Sequence, residues 1–254
     1  MEDYFNLTKQ IRHLVIDKSV MVSFKELGEI KKILRDNSYH YFVNCSKIKQ
    51  AEFFEPNLLM YKTALFEEWC GYFEMDRKAR KHIVNNLLDF ELTINSRVVN
   101  YISQLMSSKN LTDYERNEII LIVSQMRNRS EVDFSSYKGQ KSWYFISKMT
   151  FGEMKRLVFW LYEVRRDFYF EVVEGYPFLN KDVKKRFDEL NRLRNNLFHL
   201  TPLSIYLTER DHKRRKKIVK LVSKLSTSQE MKKVINEICF YADNYVKIKN
   251  SLRK

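Results

Sequence analysis

A short polar run, residues Asn191–His199, carries side-chain types that could act on a phosphodiester. It contains a permanent cation at Arg194, an amide at Asn195 and an imidazole at His199. Because Asn195 and His199 are four residues apart, a helix would place them on one face, one turn from each other. A cation, an amide and a group that titrates near neutrality can cleave a phosphodiester without a metal ion. The alternative is a helix end whose polar residues simply face solvent, since short motifs often match by chance.

The apolar residues before and within this run predict the helix that presents it. The helix is expected to span residues 181–200, and Thr201-Pro202 should end it, because proline cannot continue a helix. His199 then lies in the last turn, where the helix dipole favours a protonated imidazole. Such a group can accept a proton in one half of a reaction and return it in the other. Alternatively, His199 caps the last carbonyl groups of the helix. The side chains expected to face inward are Phe187, Leu190, Leu193 and Leu197.

A long amphipathic pattern predicts another helix over residues 76–106, following a buried helix at 58–75. Its Arg80 and Glu91 are separated by about three turns, so they share one face. Core residues lie on the same face, and a charged side chain at the edge of a core needs a partner. We expect either a structural ion pair with another helix or a role in which Glu91 or Arg80 orients the motif around His199.

Signals in the N-terminal part predict more helix. Apolar spacing within residues 1–20 is typical of a short helix or arm. Ser23 and Glu26 form a capping-box pattern at the start of a helix over 23–36. The aromatic run at 39–43 is compatible with either an extended segment or the start of a helix.

The composition favours a folded, all-α protein with a polyanionic partner. Hydrophobic residues make up 44% of the 254 residues, while glycine (5) and proline (3) are too scarce for the many turns of an all-β fold. The net charge of +14 and the pI near 9.5 point to nucleic acid. Neither metal-ligand spacing nor a long apolar run is visible, so no metal, cofactor or membrane span is expected.

Cysteine usage and the N-terminus predict a cytoplasmic protein. Cys45, Cys70 and Cys239 are odd in number and widely separated, which is typical of reduced thiols. Residues 1–6 begin with acidic side chains and lack the apolar region of a signal peptide.

The C-terminal segment, residues 201–254, contains 14 Lys/Arg against 5 Asp/Glu and so carries most of the excess charge. We expect its basic run to contact a nucleic-acid backbone, with a solvated helix face as the alternative. Apolar spacing predicts two further amphipathic helices in this segment. The candidate RNA-binding residues are Arg210, Lys213, Arg214, Arg215, Lys216 and Lys217.

The run Arg194–His199 resembles the arginine–asparagine–histidine signature of the HEPN superfamily. An ordered set of further blocks is similar to the Abi family of phage abortive-infection proteins, with the resemblance covering about residues 27 to 205. These blocks are Asn37–Phe42, Phe73–Arg80, Glu91–Arg97, Met149–Glu153 and the motif helix.

The resemblance implies an all-α, HEPN-like helical bundle with N-terminal and basic C-terminal helical extensions. The corresponding segments are 1–56, 57–205 and 206–254. It further implies a metal-independent endoribonuclease toxin of phage defence, without cofactors. A homodimer is implied because HEPN sites form where two motifs face each other, and a structured RNA could be a further partner. Family members often have small residues where this chain has Asn196-Leu197-Phe198, so Phe198 is expected to alter the approach to the site.

The catalytic hypothesis gives each motif residue a role. His199 would remove a proton from the ribose 2′-hydroxyl, Arg194 would stabilise charge on the phosphoryl oxygens, and Asn195 would orient the histidine or a phosphate oxygen. The alternative is a non-catalytic RNA-binding protein of a defence or toxin–antitoxin system. A DNA-binding regulator is a weaker alternative, because no helix-turn-helix pattern is visible.

Overall fold

Helices account for almost all of the described chain, which confirms the all-α prediction. The computed structural model describes residues 6–18, 20–50, 54–55, 60–61, 64–108, 111–125, 149–199, 202–208, 220–225 and 228–251. The helices are α1 (Leu7–Arg12), α2 (Leu27–Asp36), α3 (Tyr39–Gln50), α4 (Phe66–Ser107), α5 (Asp113–Ser124), α6 (Phe151–Val164), α7 (Arg166–Val172), α8 (Val183–Phe198), α9 (Leu203–Thr208) and α10 (Gln229–Ser251). Residues 220–225 are also helical. No helix within these ranges has the length and apolar character needed to cross a bilayer.

The strands in the described residues are two residues long and form two pairs. β1 (Val20–Met21) lies parallel to β4 (Ala64–Leu65), with Val20 opposite Ala64. β2 (Phe54–Glu55) and β3 (Met60–Tyr61) are antiparallel. The parallel pair ties the chain that follows α1 to the residues just before α4.

The N-terminal part is helical, and the capping box predicted before α2 is present. Ser23 donates its backbone N–H to Glu26 Oε2 at 2.6 Å, as in the expected capping box, and a 3₁₀ turn there leads into α2. The aromatic run at 39–43, left open by the sequence, is the start of α3. A π-helical turn, His13–Asp17, continues α1 and buries Leu14.

The predicted boundary between two helices at residue 76 is wrong. Instead of one helix over 58–75 and a second from 76, residues 66–107 form a single helix of 42 residues. Aspartate is a common helix-starting residue, but Asp76 is fully buried inside α4, ten residues after its start. No proline lies between Pro56 and Pro177, so nothing in the sequence interrupts the backbone hydrogen bonds here.

The chain divides into two compact units. The discontinuous unit comprises Met1–Asn85 and Asn195–Lys254, and the central unit comprises Asn86–Arg194. Helices α4 and α8 both continue from one unit into the other.

The core of the discontinuous unit is aromatic. Phe42 on α3 packs against Phe66, Trp69 and Phe73 of α4, with ring centroids 6.4, 6.2 and 5.1 Å away. Helix α9 packs on both α3 and α10, and Tyr241 of α10 also contacts this core. The N-terminal half of α4 is thereby held between segments from both ends of the chain.

The core of the central unit is centred on Phe90 of α4. Its ring lies 6.3 Å from Phe151, 6.0 Å from Phe187 and 4.9 Å from Tyr176. These three residues belong to α6, α8 and the turn before a 3₁₀ helix. The contacts fix α8 against the C-terminal half of α4.

Candidate functional site

The apolar residues of the motif helix α8 face the core, as their spacing predicts. Phe187, Leu190, Leu193 and Leu197 are each 0% exposed, which confirms the predicted inward face. Helix α8 ends at Phe198, and His199 forms the turn that follows.

Asn195 and His199 lie one turn apart and are both exposed. The His199 N–H donates to the Asn195 carbonyl at 3.0 Å, so the helical hydrogen-bond pattern reaches the histidine. The helix end thus brings an amide and an imidazole onto one accessible surface of the discontinuous unit.

In the central unit, Arg194 is held by Glu91 of α4. Arg194 Nε donates to Glu91 Oε2 at 3.4 Å, and the two side chains are 29% and 15% exposed. The structure therefore brings together the first motif residue and one of the two positioning residues predicted for it. The pair restricts the guanidinium and also neutralises part of its charge.

Removing the Glu91 carboxylate should separate these two effects. On the catalytic hypothesis, Glu91→Gln should lower kcat for RNA cleavage about 10-fold, because the guanidinium is positioned less well. KM should stay unchanged or fall, since the attraction of Arg194 for phosphate is no longer reduced. Steady-state kinetics on a short RNA measure both constants. The matched control is Glu163→Gln, which breaks the exposed Lys184–Glu163 pair of α8 and α6, 2.5 Å long. Equal kinetic effects of the two variants would refute the positioning role.

Arg80, the other predicted positioning residue, contacts the end of the motif helix. Its Nη1 donates to the Leu197 carbonyl at 3.0 Å, and its guanidinium lies 5.0 Å from the centroid of the Tyr41 ring. A cation that satisfies a C-terminal carbonyl stabilises a helix end. Arg80 thereby fixes the turn from which His199 projects.

The variant Arg80→Met should destabilise the protein by about 2 kcal/mol, because it loses a charged hydrogen bond and a cation–π contact while keeping a similar stem. Urea unfolding of the full chain measures the change. The control is Arg77→Met, whose exposed pair with Glu74 (2.8 Å) should contribute less than about 1 kcal/mol. If both variants lose the same free energy of unfolding, the Leu197 contact contributes nothing.

A buried polar cluster around Asp76 includes Tyr41, whose ring contacts the Arg80 guanidinium. Asp76 Oδ2 accepts hydrogen bonds from Tyr41 Oη at 3.1 Å and from the Leu203 N–H at 3.2 Å. Burial first, and then the Asp76 charge, raises the pKa of Tyr41 well above its usual value, so its hydroxyl stays protonated and donates. The same two causes raise the pKa of the buried Cys45 thiol.

This cluster is a feature that the sequence interpretation missed. The one available signal was periodicity, since a carboxylate at 76 falls on the buried stripe formed by Phe66, Trp69, Phe73 and Ile83. A charged residue on such a stripe must be hydrogen-bonded.

A groove lies in the discontinuous unit beside the end of α8. Its volume is ≈ 920 Å³, and its walls come from α4, the end of α8 and α10. The charged residues lining it are Glu74, Arg77, Lys78, Arg80 and Lys81. The groove therefore presents four cations against one carboxylate.

The predicted basic run lies outside the described residues. That holds for Arg210, Lys213, Arg214, Arg215, Lys216 and Lys217. Among the described residues, no group of three or more His, Cys, Asp or Glu side chains could hold a metal ion.

No family model, no curated protein and no solved structure matches this chain.

Proposed function

We propose that this protein is an endoribonuclease of the HEPN type, related to the Abi abortive-infection proteins, and that it cleaves RNA without a metal ion. The observation that carries the proposal is the end of α8, where Asn195 and His199 are exposed one turn apart. Arg194 precedes them in the sequence and pairs with Glu91 in the central unit. The basic groove in the discontinuous unit supports RNA as the substrate.

The proposed reaction proceeds by transesterification. The His199 imidazole accepts the proton of a ribose 2′-hydroxyl, and the 2′-oxygen forms a bond to the adjacent phosphorus. Arg194 stabilises the negative charge on the phosphoryl oxygens, and Asn195 orients the histidine or one of those oxygens. The bond from phosphorus to the 5′-oxygen breaks, and that oxygen takes a proton from the motif of a second copy of the chain. The products are a 2′,3′-cyclic phosphate and a 5′-hydroxyl.

Product chemistry tests this proposal directly. The purified protein is incubated with RNA in EDTA, and the fragment ends are identified by mass. We expect cyclic-phosphate and 5′-hydroxyl ends, and no cleavage at a nucleotide that lacks the 2′-hydroxyl. Cleavage of DNA at a comparable rate, or activity that disappears in EDTA, would overturn the mechanism.

The second candidate function is RNA binding without cleavage. The ion pair between Arg194 and Glu91 favours it, because a guanidinium that is already paired carries less charge for a transition state. On this view the groove and the basic C-terminal segment hold a structured RNA. Salt-sensitive RNA binding that is unchanged in His199→Ala, with no cleavage by any variant, would identify this function.

The proposed biological setting follows from the same hypothesis. The protein would be a cytoplasmic homodimeric toxin of phage defence, in which two copies complete one site and a structured RNA holds the activity in check. Copurification from the host followed by sequencing of the bound RNA tests the partner. Sedimentation of the protein at micromolar concentration tests the dimer, and a monomer that still cleaves RNA would refute the two-copy site.

A further inference from the structure

The groove beside the end of α8 has a polar wall whose cations can change partners. Arg77 pairs with Glu74 at 2.8 Å, and Lys78 pairs with Glu230 of α10 at 2.7 Å. All four of these side chains are about half exposed or more, so each pair is screened by water and contributes little. Lys81, one turn after Arg77 and Lys78, is also exposed. A polyanion can therefore bind these cations with little loss of ion-pair energy.

The groove also has an apolar part to its lining. Met75 and Val84 line it from α4, Leu197 and Phe198 from α8, and Val234 from α10. Phe198 is 41% exposed although it follows the fully buried Leu197. An aromatic ring exposed at the rim of a basic groove offers a flat surface for a nucleobase.

We propose that this groove is a subsite for an unpaired nucleotide of RNA, with the base against Phe198 and the flanking phosphates on Arg77, Lys78 and Lys81. The volume suits this occupant, because sites for small organic ligands span about 300–1,000 Å³. The inference rests on the proposed function for the choice of RNA as ligand, but it does not require cleavage.

The mixed lining distinguishes a single strand from a duplex. In a duplex the faces of the bases are stacked on one another, so a protein meets phosphates, sugars and base edges but no base face. In a single strand a base can turn outward and stack on an aromatic side chain. The groove should therefore prefer unpaired RNA, and that preference should depend on Phe198.

The test measures binding separately from cleavage. Fluorescence anisotropy of the full-length protein follows a labelled 2′-O-methyl RNA of 20 nucleotides, as a single strand and as a duplex, over a series of salt concentrations. The methyl groups remove the nucleophilic 2′-hydroxyl, so the probe stays intact. We expect Phe198→Ala to weaken single-strand binding about 5- to 150-fold, as for one lost base–aromatic stack, and to leave duplex binding unchanged.

Two charge variants test the polar wall: one should reduce the salt dependence of binding, and the other should tighten binding. Lys81→Gln should make the slope of log affinity against log salt shallower by about 0.7, which corresponds to one phosphate contact. Glu74→Gln should tighten binding about two- to fivefold by releasing Arg77. An increase in affinity cannot result from unfolding, so this variant keeps the test valid if others are unstable.

Matched controls come from the same unit. Phe240 is an aromatic residue of α10 that is 62% exposed, and Lys31 of α2 is exposed; neither lines the groove. Phe240→Ala and Lys31→Gln should bind like the unchanged protein. Equal losses in Phe198→Ala and Phe240→Ala, equal affinity for single strand and duplex, or binding of polyglutamate as tight as that of RNA would each overturn the proposal.

Failure of this inference can be told apart from failure of the proposed function. If the groove variants behave as expected but unmodified RNA stays uncut, the subsite stands and the nuclease assignment fails. If RNA is cut and Phe198→Ala affects neither binding nor cleavage, the subsite fails and the nuclease assignment stands.

Discussion

Replacing His199 with alanine is expected to lower the rate of RNA cleavage about 10²- to 10⁴-fold, the usual contribution of a general acid–base group. The side chain is exposed at the end of α8, so its loss should change the free energy of unfolding by less than about 0.5 kcal/mol. Single-turnover cleavage of a labelled RNA in EDTA measures the rate, and urea unfolding measures the stability. With the free energy of unfolding unchanged, a loss of activity would report on chemistry alone.

Two controls make this result specific. His40→Ala removes another exposed histidine, on α3, and should leave the rate unchanged. Arg194→Ala should cost about 10²- to 10³-fold as a lost electrostatic stabiliser of the transition state, whereas Arg192→Ala, on the same helix, should not. Cleavage at equal rates by His199→Ala, Arg194→Ala and the unchanged protein would show that the motif does no chemistry.

The second large effect is structural, and it concerns the buried carboxylate of Asp76. In Asp76→Ala we expect a loss of about 3–5 kcal/mol, because the Tyr41 hydroxyl and the Leu203 N–H lose their acceptor inside the core. Such a loss is a large part of the stability of a typical domain. Urea unfolding followed by circular dichroism measures it, and Asp76→Asn, which keeps one acceptor oxygen, should lose less.

A double-mutant cycle separates the hydrogen bond from simple loss of packing. Tyr41→Phe alone should cost about 1–2 kcal/mol, since it leaves one acceptor with one donor fewer. In the Asp76→Asn background the same change should cost less, because part of the interaction is already gone. Full additivity of the two changes would mean that Tyr41 and Asp76 do not stabilise each other.

Local sequence signals were sufficient for the inward face of the motif helix and for the capping box before α2. The inward face of α8 follows from apolar residues spaced three or four apart, and the capping box at Ser23 involves a residue only three positions away. Each of these features depends on neighbours within a few turns.

The features that sequence did not reveal depend on distant partners. Asp76 is a common helix-starting residue, yet it lies inside α4 because Tyr41 and Leu203 satisfy its carboxylate. The groove is formed by α4 together with segments from the other end of the chain, and the Lys78–Glu230 pair joins residues 152 positions apart. No local pattern indicates which face of α4 such segments will cover.

The two contacts that α4 makes with the segment after Arg194 also set an order of assembly. The Leu203–Asp76 hydrogen bond closes a loop of 127 residues, and the Arg80–Leu197 bond closes one of 117. At about 5–20 residues per second, the ribosome needs about 6–25 seconds to add the residues that follow Asp76 as far as Leu203. Through that interval Asp76 has no Leu203 to bind, and contacts of such long range form slowly. Until residue 203 has been added, a nascent chain therefore lacks the contacts that hold the end of α8. If the proposed function is right, the protein could not cut RNA during most of its own translation.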